Sequence, residues 1–157
     1  MRTILITERL VVNKFTESDK ELCWQIEKNF EVRKYIDQKT LSRIEAANYV
    51  GDIIESYSTN GYGRYAVRDK VNLKLIGMCG ILLDEMGIDF GYRYCPLSWG
   101  KGIDYDAAKE VFLFGTNTVG LSPVFAGVYP KNCASERVLK NWDSIFIAKS
   151  ISWIKSS

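Results

Sequence analysis

The sequence predicts a single mixed α/β domain of the α+β kind, on three observations. Apolar runs with strand character and runs with apolar residues at helical spacing follow one another along the chain. Three strand-like runs stand in direct succession near the middle, which makes much of the sheet antiparallel. The 157 residues suffice for one domain with a proper core, and no repeat, linker or low-complexity stretch divides them.

The elements follow in order. "RLVVNKF" (9–15) reads as the first strand. "TESDKELCWQIEKN" reads as a helix, with a capping oxygen at Thr16 or Ser18 and apolar Leu22 and Ile26 at helical spacing. "LSRIEAANYVGDIIESY" is a second helix, opened by a Ser42–Glu45 capping box and striped by Ile44, Ala47, Val50 and Ile54. "STNGYG" stops it. "GRYAVRD" and "KLIGMCGILL" are strands joined by the turn "DKVN"; "GIDFGYRY" is a third, entered at Gly87 and ended by Pro96. Residues 103–118 are helical, with Ala107, Ala108, Val111 and Phe112 on the apolar face. "SPVFAGVY" is a further strand and "NCASERVLKNW" a last helix that Asn132 can cap. The predicted order is β-α-α-β-β-β-α-β-α.

Composition narrows the chemistry. The chain is 46% hydrophobic and 25% charged, as expected of a soluble globular domain. A net charge of +2 is too weak for a nucleic-acid partner, which calls for concentrated basic stripes. No apolar run is long enough to cross a membrane, and the opening "MRTILITERL" is too short and too soon charged for a signal peptide. The expected location is therefore cytoplasmic. The four cysteines show no C-x-x-C spacing, so no metal is expected, and they read as reduced, buried small hydrophobes. Cys133 is assigned to the core on the same ground. There is no histidine. That excludes Ser-His-Asp and Cys-His nucleophiles and leaves acid–base work to carboxylate, Tyr, Cys, Lys, Ser or water.

"SWGKGIDYDAAK" (98–109) carries the strongest local signal. Gly100 and Gly102 permit close approach of a ligand to the backbone. The amides after Gly102 stand at a helix start without intrahelical partners, and Lys101 adds positive charge. Such a set suits a phosphate, and it equally suits an ordinary turn before a helix. Asp104 sits badly with the first reading, because its carboxylate repels an anion and competes for the same amides.

Four stretches together resemble the GNAT acetyltransferases, and within them the branch of ribosomal-protein N-terminal acetyltransferases. "TERLVVNKFTESD" resembles that branch's opening strand and "KLIGMCGI" its third. "IDFGYRYCPLSWGKG" is similar to its fourth strand and acetyl-CoA loop, and "NCASERVLK" to its last conserved helix. The resemblance spans residues 7–140. It implies a splayed, mostly antiparallel sheet flanked by helices. It also implies direct transfer of an acetyl group from acetyl-CoA to an amine, without metal or covalent enzyme intermediate. The pantetheine arm would pair with backbone from Tyr92 through Arg93 to Tyr94. The pyrophosphate would rest on the amides of Trp99, Gly100, Lys101, Gly102, Ile103 and Asp104, where the family has a small residue in place of Asp104.

By the same resemblance Asp89 stands where many relatives carry a glutamate base, and can act through water. Its other reading is an exposed carboxylate paired with Arg93, which shares its face by alternation. Ser135 matches a serine that would hydrogen-bond the leaving thiolate, or it merely satisfies a helix-start amide. Leu139 stands where other members have a tyrosine acid. Asn132 would hold pantetheine, cap its helix, or do both. Tyr57, Tyr62, Tyr65, Tyr92 and Tyr94 line an acceptor groove or form the edge of the core. Protein N-termini, polyamines, antibiotics and amino acids all remain open as acceptors. An acetyl-CoA-binding protein that has lost turnover is the alternative function.

The C-terminal segment departs from the family. The family continues its last helix into a Leu-Gly-Phe turn and two sheet-completing strands, whereas "NWDS" follows Lys140 here. Any codons for Asn141-Trp142-Asp143, read from the third base of the first, give Leu then Gly. The next codon is Phe or Leu if Ser144 is encoded UCN. A single-frame slip before Asn141 would thus replace the family's C-terminus by 17 foreign residues, 141–157, leaving C-terminal strands altered and an exposed sheet edge open to homodimer pairing. The opposing reading is a native tail in which "IFIAKSISWI" forms one strand over that edge. The gene sequence decides: one inserted or deleted base that restores Leu-Gly-Phe and an open frame is the expected finding, and lack of such a frame excludes the slip.

Overall fold

The computed structural model describes residues 2–34, 36–84, 87–121, 125–126 and 146–147. Within them one sheet of seven strands runs in sequence order. Strands β1 (Thr3–Ile6), β2 (Leu10–Asn13), β3 (Arg64–Asp69), β4 (Leu75–Asp84) and β5 (Gly87–Tyr94) are antiparallel neighbours. β6 (Phe125–Ala126) joins β5 in parallel at Asp89 and Phe90, and β7 (Phe146–Ile147) joins β6 in parallel. The helices are α1 (Lys20–Glu27), α2 (Phe30–Arg33), α3 (Arg43–Thr59) and α4 (Ile103–Leu113), and a π-helical turn at Phe114–Thr118 extends α4.

Local chemistry sets the boundaries. A capping box joins Ser42 and Glu45 at the start of α3, with the Ser42 amide donating to Glu45 Oε2 at 2.7 Å. A second joins Thr16 and Asp19 in the 3₁₀ turn that leads into α1. The Asp69 carboxylate accepts the amides of Val71 and Asn72, which closes the β3–β4 turn.

The sheet separates two cores. On one face α4 lays Ala107, Ala108, Val111 and Phe112 against Leu10, Val67, Ile81 and Phe90. On the other, α1 and α3 bring Cys23, Ile26, Val50 and Ile53 onto Ala66 and Met78. Strand alternation puts Phe90, Tyr92 and Tyr94 on the α4 side and Asp89, Gly91 and Arg93 on the α1–α3 side.

The structure corrects several expectations. A strand, β1, precedes the one read as first, and the tight turn between them is held by Thr7, whose Oγ1 accepts the amides of Arg9 and Leu10. Leu22 and Ile44 are exposed. α1 instead buries Cys23 and Ile26, and α3 buries Ala46, Val50 and Ile53, a stripe rotated from the expected one. Tyr62, Tyr65 and Tyr94 are buried core residues, with Tyr57 and Tyr92 packed against them. Residues 127–145, with the expected last helix (132–142), lie outside the described residues; of the strand "SPVFAGVY" only Phe125–Ala126 is described.

Two buried thiols carry a pH consequence. Burial, then Glu27, pushes Cys23 up to about 12, and burial pushes Cys79 up to about 12, from an ordinary 9.0. Above about pH 9 the unfolded chain releases these protons while the folded chain keeps them, so stability falls as pH rises through that window. The slope is on the order of 1 kcal/mol per pH unit for each thiol. Urea titrations at pH 8, 9 and 10 under reducing conditions should show this loss, and Cys79→Ala should flatten it; equal slopes in both proteins would contradict the assignment.

Candidate functional site

The segment after β5 is a tight turn that leads into the start of α4. A short 3₁₀ turn over Pro96–Ser98 reverses the chain, and the Trp99 indole N–H fixes it by donating to the Tyr94 carbonyl at 3.0 Å. Gly100 and Gly102 then take left-handed conformations, with φ of +74° and +71°. Only glycine adopts these at no steric cost. Gly102 is also the N-cap of α4, whose first amides lack intrahelical partners and stand at the positive end of the helix dipole. Trp99 and Lys101 are exposed there.

Asp104 behaves as its chemistry demands. Its Oδ1 accepts the Tyr105 amide at 2.9 Å and so occupies one of the α4 donors. Asp106, one turn into the helix, is paired with Arg9 of the β1–β2 turn, and Arg9 Nη1 also donates to the Lys101 carbonyl at 2.6 Å. Sequence reasoning missed Arg9, because its partners lie more than ninety positions away.

Asp89 lies at the start of the described β5 contacts with β6. Its partner is not Arg93, as alternation suggested, but Arg64 of β3: Nη2 donates to Asp89 Oδ2 at 3.2 Å, and Nη1 to the Gly80 carbonyl at 2.5 Å. Gly91 makes this possible, since a Cβ there would stand 2.8 Å from the guanidinium nitrogens. Arg93 turns instead to Glu27 at the end of α1, donating from Nη1 to both carboxylate oxygens at 2.9 and 3.1 Å. Glu27 is fully buried and also holds Arg33 Nη1 at 2.5 Å. Burial opposes the charge of Arg93, but the Tyr49 hydroxyl and Glu27 outweigh it and keep the guanidinium charged above its ordinary range.

The aromatic side of β5 is dry. Tyr92 and Tyr94 pack on the α4 core with Phe90. The Tyr94 hydroxyl faces the Cys79 thiol, a weak partner, and burial, followed by Cys79, drives its pKa well up. Neither group supplies a proton acceptor at neutral pH. Asn132, Cys133, Ser135 and Leu139 lie outside the described residues. No cluster of three potential metal ligands occurs among the described residues, and none of their helices is long and apolar enough to cross a membrane.

Comparison with known proteins gives this geometry a setting. The acetyltransferase (GNAT) domain family matches residues 9–143. An uncharacterized N-acetyltransferase, YoaA of Bacillus subtilis (strain 168), is 27% identical, over 88% of this chain and 81% of its own. Among solved structures, the ribosomal-protein-S5-alanine acetyltransferase of Vibrio fischeri superposes with a TM-score of 0.73 at 17% identity, covering 90% of this chain and 81% of its own. The ribosomal L7/L12 α-N-protein acetyltransferase RimL, in complex with coenzyme A, superposes with a TM-score of 0.74 at 18% identity, covering 89% of this chain and 82% of its own.

Replacing Asp104 by alanine frees the Tyr105 amide and removes a negative charge from the α4 N-terminus. A helix-end charge is worth ~0.3–1 kcal/mol, so coenzyme A should bind Asp104→Ala about two- to fivefold more tightly. Calorimetric titration measures this, and weaker binding would mean that Asp104 supports the loop rather than crowding it.

Proposed function

Because the chain belongs to the GNAT acetyltransferase family, we propose that it moves the acetyl group of acetyl-CoA to a primary amine. The observation that carries this reading is the run from β5 through the left-handed pair Gly100 and Gly102 into α4. It offers a strand edge for the pantetheine amides, from Tyr92 to Tyr94, and then a turn for the pyrophosphate over Trp99–Asp104, in which the Trp99 amide is already bonded to the Pro96 carbonyl at 3.1 Å and the amides from Gly100 onward remain to meet the anion. Asn132 adds a side-chain contact to the pantetheine. No metal takes part.

The amine attacks the thioester carbonyl directly. A C–N bond forms, the C–S bond breaks, and the ammonium proton must leave. Asp89, through a water molecule, receives that proton. Its pairing with Arg64 fixes the carboxylate in place, so that it acts as a positioned relay. Ser135 donates a hydrogen bond to the sulfur as the thiolate departs, and solvent supplies the proton that completes CoA. Neither Cys23 nor Cys79, both neutral and buried, serves as a nucleophile.

A protein N-terminus is the acceptor this reading favours, supported by two of the superposed enzymes, which act on ribosomal proteins. The expected compartment is the cytoplasm, and a homodimer through a sheet edge is compatible with the reading. A second reading, acetyl-CoA binding with little turnover, is favoured by the Leu-Gly frame hidden in the Asn141–Asp143 codons.

The test is a panel of peptides and small amines with CoA release as readout. At 100 times its dissociation constant acetyl-CoA should stabilise the fold by about 2.7 kcal/mol, a melting shift of roughly 5–10 °C. Asp89→Asn and Ser135→Ala should each lower kcat about tenfold or more with little change in acetyl-CoA affinity. A melting shift without CoA release from any amine supports the second reading, and no shift at millimolar acetyl-CoA removes both.

A further inference from the structure

We propose that Arg9 is a positioning residue for acetyl-CoA, holding the 100–106 turn in its anion-accepting shape before the cofactor arrives. This rests on the reading of that turn as the pyrophosphate site. Arg9 itself is anchored. Its amide donates to Thr7 Oγ1 at 3.3 Å, and its carbonyl accepts the Lys70 amide at 2.9 Å, so its backbone is tied to the β1–β2 turn and to the end of β3. From that base the guanidinium spans to the opposite side of the loop. Nη1 takes the Lys101 carbonyl, and Nε and Nη2 together take Asp106 Oδ2. One planar fork thus fixes both the peak of the glycine turn and the first turn of α4.

The turn needs such a clamp. Gly100 has no atom within 4 Å of where its Cβ would lie, and Gly102 has only Arg9 Nη2, at 3.5 Å. Glycine backbones lose the most freedom on ordering, so an unclamped turn would lose that entropy when the cofactor binds. Charge adds a second effect. The first turn of α4 carries two carboxylates, Asp104 and Asp106, and both work against a pyrophosphate. Arg9 neutralises Asp106. Its side chain is 43% exposed, so replacing it removes the clamp without opening the core.

The experiment pairs two measurements on the full chain. Arg9→Met keeps the aliphatic stem and removes the fork. Exchange of the Tyr105 and Asp106 amides, which donate to Asp104 Oδ1 and the Gly102 carbonyl, should quicken at least about tenfold in the ligand-free protein, with the melting temperature close to that of the parent. Acetyl-CoA affinity, by calorimetry, should fall about tenfold. Arg9→Lys, which keeps the charge and reaches one of the two partners, should recover part of the affinity. Asp106→Asn loses the ion pair together with its repulsion, so its affinity should fall less than that of Arg9→Met. Unchanged exchange in Arg9→Met, or faster exchange with parental affinity, overturns the proposal. If the parent binds no acetyl-CoA, the cofactor reading fails, and the exchange rates still decide whether Arg9 fixes the turn.

Discussion

Three arginines on one face of the sheet, Arg64, Arg68 and Arg93, are buried with side-chain exposures of 8%, 6% and 14%, and the site depends on how their charge is met. A guanidinium withdrawn from water without a partner costs several kcal/mol, so each must find a carboxylate. Arg68 takes Asp19 from the turn before α1, with Asn13 beside it; Arg93 takes Glu27 from the end of α1; Arg64 takes Asp89 from β5. Two of the three acids belong to the α1 region. The seating of α1 on the sheet is therefore governed by charge as much as by Cys23 and Ile26. Breaking one such pair by removing a partner costs about 3–5 kcal/mol, which exceeds most single core truncations by one methyl group.

The same constraint explains what was legible in the sequence and what was not. The apolar face of α4 was readable because Ala107, Ala108, Val111 and Phe112 fall at unambiguous helical spacing. The stripe of α3 was not, because apolar residues flank it on both sides. The capping box fixes where that helix starts, while its rotation is set by contact with Ala66 and Met78, far away in sequence. β1 was hidden in "TILITER", where the Thr7 hydroxyl makes the turn; a threonine followed at short range by the amides it can accept was the available signal. The partner of Asp89 was invisible for a different reason. Alternation along one strand points to Arg93, but Arg64 reaches Asp89 across β4, where Gly80 and Gly91 are opposed in the register and Gly91 leaves room for the guanidinium.

At the 99–106 turn the sequence displayed the glycines and the two aspartates but not what balances their charge. Asp104 and Asp106 stand two residues apart on one helix start, and their surroundings give them opposite consequences. Asp104 turns back on its own neighbour and occupies a donor, while Asp106 is taken out of play by an arginine from the far end of the sheet. Local pattern identifies the first kind of contact, since it spans one residue; the second is a product of the fold. A loop motif read in isolation therefore overstates how hostile this helix start is to an anion.

Charge balance also limits what this side of the sheet can hold. On the α1–α3 side the ion-pair network joins four cations, Arg33, Arg64, Arg68 and Arg93, to four anions, of which Asp19 and Glu27 are buried and Asp37 and Asp89 reach the solvent. Each anion is already paired, so this network offers no surplus negative charge. A polyamine is recognised through several separated ammonium groups, each of which needs an anionic or aromatic partner. A further ammonium could enter this network only by displacing an arginine and leaving that guanidinium withdrawn from water without its carboxylate, so the network acts as a fixed support for α1 and the sheet rather than as a receptor for a polycation.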